Sequence, residues 1–244
     1  MSGAGAWRAA EGTQMLFGFE WDTSSNWAFA VSILPILLRG MIVTIQATLL
    51  GFFVAVVLGL ILAALKSAPL KIISWPAKLF TEFVRDTPLL IQLFFLYYVL
   101  PEYGIIFPAF LTGALALGLQ YSAYTSEVYR AGIEAVARGQ HEAARALNFA
   151  GLHTFTHVVL PQAIPRIIPA MGNYLVSIMK DVPILSVVTV LEMLNVAQII
   201  GDRTFNYLIP LSMVGGIYLI MTLVASAGVR MLDQALPKRG LPLK

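Results

Sequence analysis

The sequence predicts an all-α, polytopic membrane protein of one domain, with five transmembrane helices, the N-terminus outside and the C-terminus in the cytoplasm. Three observations carry this reading. Of 244 residues, 58% are hydrophobic and 12% charged, about half the charge of an ordinary soluble domain, and the mean hydropathy is +0.79. The apolar residues gather into five stretches, each judged against the roughly 20 residues a helix needs to cross a bilayer. Lastly, Lys66, Lys71, Lys78, Arg85, Arg130, Arg138, Arg145, Arg166, Arg230, Lys238, Arg239 and Lys244 are twelve of sixteen basic residues on one side of those stretches. Arg8, Arg39 and Arg203 fall on the other side, and Lys180 falls inside. The positive-inside bias assigns the larger group to the cytoplasm.

Residues 1–33 read as an extracytoplasmic tail and interfacial segment. No basic region precedes an apolar run with a cleavage site, so a cleaved signal peptide is not expected. Trp21 and Trp27 are placed to anchor the end of this tail at the lipid interface. The membrane domain is expected over 34–235. Its first helix, about 36–65, is longer than a crossing needs, so it tilts or protrudes. Within it Gly51, Ala55, Gly59 and Ala63 recur every four residues, a small-residue stripe that permits close helix packing in lipid.

Pro69 and Pro76 are expected to break the chain after this helix. Apolar character resumes at Pro88 and ends near Leu100, 13 residues that are too few alone. The second helix is therefore expected to begin near Leu79 and to carry Glu82, Arg85 and Asp86 at its cytoplasmic end. Pro101 to Gly104 reads as a brief turn. The third helix spans about 107–128, and its later half bears Gln120, Tyr121, Ser122, Tyr124, Thr125 and Ser126, a face suited to protein or a wet pathway rather than lipid. The fourth is expected over 167–190 and the fifth over 207–232, with a polar loop holding Asp202 and Arg203 between them. Residues 236–244 form a basic cytoplasmic tail.

A cytoplasmic interval, 130–166, separates the third and fourth helices. Its central part, RGQHEAARALNFAGLHTFTHVVLP, places Glu134, Arg138 and Glu142 at four-residue steps with Arg145 three beyond, a spacing that supports an exposed helix by a few tenths of a kcal/mol per pair. Ala143, Ala144 and Leu147 form a small-sided face that lets a partner backbone come close. Asn148 and Gly151 are suited to positive φ, and Pro161 should hold Leu160 extended before the next helix begins. A short helix pushed out of the membrane on a stiff turn is a candidate docking knob.

The sequence excludes much chemistry. It contains no cysteine, so disulfides, thiol catalysis and thiolate metal sites are absent. There is no phosphate-binding G-x-x-x-x-G-K-[ST] loop, no G-x-S-x-G elbow and no H-E-x-x-H pair. His153 and His157, four apart, lack a third ligand, so no metal site is expected. A modest net charge of +3 gives no reason to expect nucleic acid as a partner. The informative charges are inside the membrane. Lys180 and Asp181 lie near the middle of the fourth helix and, as neighbours, point in different directions, so each needs another partner. Pro183 frees the Met179 carbonyl one turn back. Glu192, Asn195 and Gln198 continue a polar stripe. The candidate solute pathway is Gln120, Tyr124, Lys180, Asp181, Ser186, Thr189, Glu192 and Asn195.

The segment Glu142-Ala143-Ala144, three residues, Asn148, nine residues, then Val158-Val159-Leu160-Pro161 resembles the EAA loop of ABC-importer permeases, in which Gly stands at the Asn148 position and Ile at the Val158 position. Residues 83–90, FVRDTPLL, resemble the F-V-R-G-T-P-L-L segment of polar amino acid permeases, with Asp86 in place of Gly. EVYRAGI from Glu127, LPQA from Leu160 and Lys180-Asp181 match the same group, although Val182 and Pro183 stand where many members have Thr-Ser. Details such as YVLPEYGI and TVLEMLN are similar to ectoine and hydroxyectoine permeases. The resemblance covers about 34–232.

This likeness implies a type I ABC importer permease fold in the bacterial inner membrane. It also implies pairing with an identical or homologous permease, so that ten helices enclose a path. It further implies an extracytoplasmic solute-binding protein, and two cytoplasmic ATPase subunits that carry ATP and magnesium. On this reading the chain is not an enzyme and binds no cofactor itself. The ATPases would dock on Arg138, Glu142, Ala143, Ala144, Leu147, Asn148, Gly151, Leu160 and Pro161. The alternative from a different class is an ion-coupled secondary transporter using Asp181 and Glu192 as ion sites. Inverted repeats would favour it, and none are visible.

Overall fold

The computed structural model describes residues 15–16, 19–20 and 21–236. Residues 1–14 and 17–18 of the expected N-terminal tail, and 237–244 of the basic tail, lie outside the described residues. Two short strands, β1 Met15–Leu16 and β2 Phe19–Glu20, pair antiparallel. Everything after them is helical or connects helices.

Helix α1, Asn26–Lys66, runs for 41 residues, about 60 Å at 1.5 Å per residue against a hydrocarbon core of about 30 Å. It starts ten residues before the expected position, because Ser25 caps it by accepting the Ala28 N–H at 3.1 Å. Pro35 is carried inside it. Trp21 is not an interfacial anchor: it is buried with Phe29, Ile33, Met193 and Ile200, while Trp27 is 79% exposed. The small-residue stripe packs as expected. Gly51, Ala55, Gly59 and Ala63 are all buried, and the Thr125 hydroxyl donates to the Ala55 carbonyl at 2.8 Å.

The second expected helix is two helices. α2, Lys71–Asp86, and α3, Leu89–Tyr103, meet at 104°. Pro88 lacks an N–H and forces Thr87 to an extended φ of −96° and ψ of 136°, so the helix cannot continue through it. Pro69 does lie in the break before α2, but Pro76 sits inside α2, where it forfeits only the bond to Ile72 on an exposed side. α3 contains a π-turn over Phe95–Val99 and ends in a 3₁₀ turn, Leu100–Tyr103, closed by Gly104 at φ 78°.

Helix α4, Ala109–Glu134, is the central element and packs along α1. α5, Arg138–Ala146, is the short helix of the polar interval. α6, Gly151–Val188, begins with a helical turn and a π-turn over Phe155–Val159, and it ends in a 3₁₀ segment, Val182–Val188. This corrects two expectations. Leu160 is helical, with φ −59° and ψ −45°, because the wide π-turn admits Pro161 without an extended residue. Gly151 opens a helix and does not adopt positive φ.

α7, Met193–Thr204, leaves α6 at 46°, so the expected fourth span is a bent pair and Asp202 and Arg203 belong to its last turn. α8, Leu208–Ala235, lies close to its expected place. Among the described residues, α1 and α8 are each long and apolar enough to cross a membrane, and the α2–α3 and α6–α7 pairs raise this to four if each is one span. α4 has the length, 26 residues, but carries the polar half described above.

Candidate functional site: a polar seat at a broken helix

A groove of about 920 Å³ lies among α1, α4, α6 and α8 and is lined by apolar groups such as Phe52, Leu60, Ile133, Ile164, Met171 and Val229. Nothing in it replaces water around a charged solute, which makes it a costly route for one. The polar groups gather elsewhere, where the α2–α3 break meets α4 and α6.

Three tyrosines form the floor. Tyr124 of α4 stacks on Tyr174 of α6 with ring centroids 5.9 Å apart and planes 25° apart. Tyr121, one turn earlier, meets each of them at 5.9 Å. Its hydroxyl donates to Asp181 Oδ2 at 2.6 Å, which supplies the partner that the sequence required for Asp181. Arg85, the penultimate residue of α2, holds its guanidinium carbon 5.7 Å from the Tyr124 ring centroid, within cation–π range. Lys180 and Asp181 are exposed and line an opening of about 440 Å³ with Leu89, Pro183, Ile184 and Leu194. A cation, a carboxylate and stacked aromatic faces are the groups that bind the two ends of a zwitterion.

Of the expected pathway residues, the structure brings Gln120, Tyr124 and Asp181 into this assembly, with Lys180 beside it. Gln120 is buried and accepts the Gln92 amide at 2.6 Å. Ser186, Thr189, Glu192 and Asn195 instead belong to the α6–α7 connection. Thr189 adopts positive φ, 63°. Asn195 donates to the Val190 carbonyl at 2.8 Å. Glu192 is fully buried and caps α7, accepting from Leu194 N at 2.8 Å and Asn195 N at 2.7 Å. Arg85, Tyr121, Tyr174 and Gln92 were absent from the expected set. Arg85 stands at the end of α2, as the sequence suggests for a helix end, and its contact with Tyr124 is what the sequence does not show.

The polar interval has its own geometry. Glu134 ends α4 and Arg138 starts α5, so they do not share a helix face as the spacing implied. Glu134 and Glu127 pair instead with Arg130, at 2.7 and 2.8 Å. Glu127 also reaches Lys66 at 2.5 Å. Arg138, Glu142 and Arg145 make no ion pair among the described residues. Ala144 is buried, at 3% exposure, so it packs inward and leaves the exposed face to Ala143 and Leu147. Asn148 takes φ 59°, the left-handed turn expected of it. The interval is tied to α6 by Gln162 donating to Gln140 at 3.2 Å and to α4 by Arg166 donating to the Ala135 carbonyl. Leu147, at 68%, and Leu152, at 77%, stay exposed.

Such a bundle has the helices of a membrane-spanning subunit. The chain belongs to the family described as the binding-protein-dependent transport system inner membrane component, whose profile matches residues 55–238. It is 70% identical over 231 residues to a probable amino-acid ABC transporter permease protein, y4tG, of Sinorhizobium fredii, covering 94% of this chain and 100% of the relative. A putative glutamine transport system permease of Rickettsia conorii is 34% identical over 199 residues, covering 81% and 91%. The arginine transport system permease ArtQ of Bacillus subtilis is 34% identical over 192 residues, covering 78% and 88%.

Among solved structures, an amino acid ABC transporter crystallised with histidines superposes with a TM-score of 0.81 at 37% identity, over 84% of this chain and 96% of that one. The methionine transporter MetNI, in inward-facing form, gives 0.72 at 16% identity, covering 84% and 98%, and shares the fold. The chain is therefore a permease and not an enzyme, and nothing in its family supports the ion-coupled alternative.

Proposed function

We propose that this chain is the amino-acid permease of an ATP-driven importer and that its solute passes the Arg85–Tyr124–Tyr174–Asp181 seat. The observation that carries the proposal is the pairing of Arg85 over Tyr124 with Asp181 beyond Tyr121. It puts groups for a carboxylate and for an ammonium on one tyrosine floor. The relatives named for amino acids, glutamine and arginine support this class of solute. Ectoine and hydroxyectoine, amino-acid-derived zwitterions, fit the same chemistry. Glu192, spent on capping α7, serves here as a structural clamp.

In this reading the protein sits in the bacterial inner membrane with five spans: α1, the α2–α3 pair, α4, the α6–α7 pair and α8. Its C-terminus faces the cytoplasm. An identical or homologous permease completes the path, and an extracytoplasmic binding protein delivers the solute. An ATPase dimer docks on the exposed face of α5 and its flanking turn, around Arg138, Glu142, Ala143, Leu147, Asn148 and Gly151. Leu160 and Pro161 then carry the motion into α6. The exposed Leu147 and Leu152 support docking, since apolar side chains held outside the bilayer gain by burial in a partner. The test is reconstitution with ATPase and binding protein, comparing uptake of glutamine, arginine, histidine and ectoine. Uptake of none of them, with ATP hydrolysis intact, would reject the solute class.

A further inference from the structure

We propose that Gln92 is a positioning residue of the solute seat: its side-chain amide replaces the N–H that Pro88 lacks and so fixes Arg85 against Tyr124. The inference rests on the seat proposed above. In a continuous helix the N–H of residue 88 would bond to the Val84 carbonyl. Pro88 cannot, and the break would leave that carbonyl in a buried place with only a long bond from the Thr87 hydroxyl, 3.3 Å, whose shorter bond, 2.8 Å, goes to the Phe83 carbonyl; buried polar groups normally avoid so poor a partner.

Gln92 Nε2 lies 2.8 Å from the Val84 carbonyl, 2.8 Å from Thr87 Oγ1 and 3.2 Å from the Thr87 carbonyl. The same nitrogen donates across to Gln120 Oε1 of α4 at 2.6 Å. Gln92 is 9% exposed, and its Oε1 has no partner among the described residues. The amide is thus turned with its two donors toward four acceptors, the orientation these surroundings select.

Both ends of the Arg85–Tyr124 pair hang from groups that Gln92 touches. Arg85 follows Val84 directly, and Tyr124 lies one helical turn beyond Gln120. Removing the amide therefore lets the α2–α3 angle relax and moves the guanidinium without removing any group that meets solute. A carboxylate at this position would face the same acceptors and repel them, so Gln92→Glu should open the break as Gln92→Leu does.

The chain's lack of cysteine permits a direct test. Spin labels at Lys78→Cys on α2 and Tyr103→Cys on α3, in the assembled transporter with cysteine-free partners, report the angle of the break. Binding of radiolabelled L-glutamine and L-arginine to the same complex, without the binding protein, reports the seat. Gln92→Leu should broaden the label distance and weaken binding about tenfold, the scale of a single cation–π interaction. In an Arg85→Ala background it should weaken binding little further, since the two act in series.

An unchanged label distance in both Gln92 variants would overturn the proposal, whatever happens to binding. So would a broadened distance with undiminished binding where Arg85→Ala does weaken it. If Arg85→Ala itself leaves binding intact, the seat is refuted and the role of Gln92 falls with it.

Discussion

Asp181 is the residue on which the proposed solute chemistry turns. Its carboxylate keeps one side for Tyr121 and leaves the other toward the opening beside Lys180. Asp181→Asn retains the size and the acceptor for Tyr121 but removes the charge, so we expect binding of neutral and basic amino acids to fall about tenfold or more, as read by direct binding to the purified complex. Tyr121→Phe, which frees the carboxylate, should change affinity less. Thr189 carries a different burden. A β-branched residue at φ 63° is held in a region that costs about 1–2 kcal/mol. Thr189→Gly should therefore raise the melting temperature of the solubilised protein. Gln120, Tyr124 and Asp181 were legible in sequence because polar side chains inside apolar stretches need a wet or paired environment. Arg85, Tyr174 and Gln92 were not, since their contacts depend on how the break at Pro88 turns α2 and α3 against α4 and α6.

Among the elements, the α1–α4 packing and the α5 knob make separate demands. A Cβ on Gly59 would meet Thr125 Cβ at 3.0 Å and the Ser122 carbonyl at 3.1 Å, whereas one on Gly215 meets nothing within 4 Å. Gly59→Ala should destabilise the bundle by about 1–3 kcal/mol and Gly215→Ala should not, as thermal unfolding in detergent would show. For the knob, Ala143 is exposed and Ala144 is buried. Ala143→Glu should leave folding intact yet abolish co-purification of the ATPase. Ala144→Glu should instead damage the protein itself, so the pair separates docking from folding. The short helix α5 and its turn are readable because their signal is local, a spacing of small residues and a residue, Asn148, tolerant of positive φ; the extended turn expected at Pro161 is not formed. The α2–α3 break was misread for a physical reason. A minimum crossing length was satisfied by extending an apolar run backwards, whereas Pro88 had already ended the helix.

At the scale of the whole molecule, the proposed function separates solute handling from energy input. The proposed seat lies where α2, α4 and α6 meet, the proposed docking face lies on α5, and α6 runs from the turn beside α5 to Asp181. A movement of α5 therefore has two helices along which to reach the seat, α6 and also α4, which carries Tyr121 and Tyr124 and ends at Glu134 just before α5. Membrane sidedness is expected from the basic residues: single cysteines at Gly139 and at Tyr103 should react with impermeant reagents from opposite faces of intact cells. The most direct measurement is solute accumulation in proteoliposomes with this permease alone, with its ATPase partner, and with ATPase and binding protein together. ATP-dependent accumulation is predicted only in the complete assembly, and none from the permease by itself under any ion gradient. Accumulation by the permease alone, driven by protons or sodium, would contradict the division of labour drawn here.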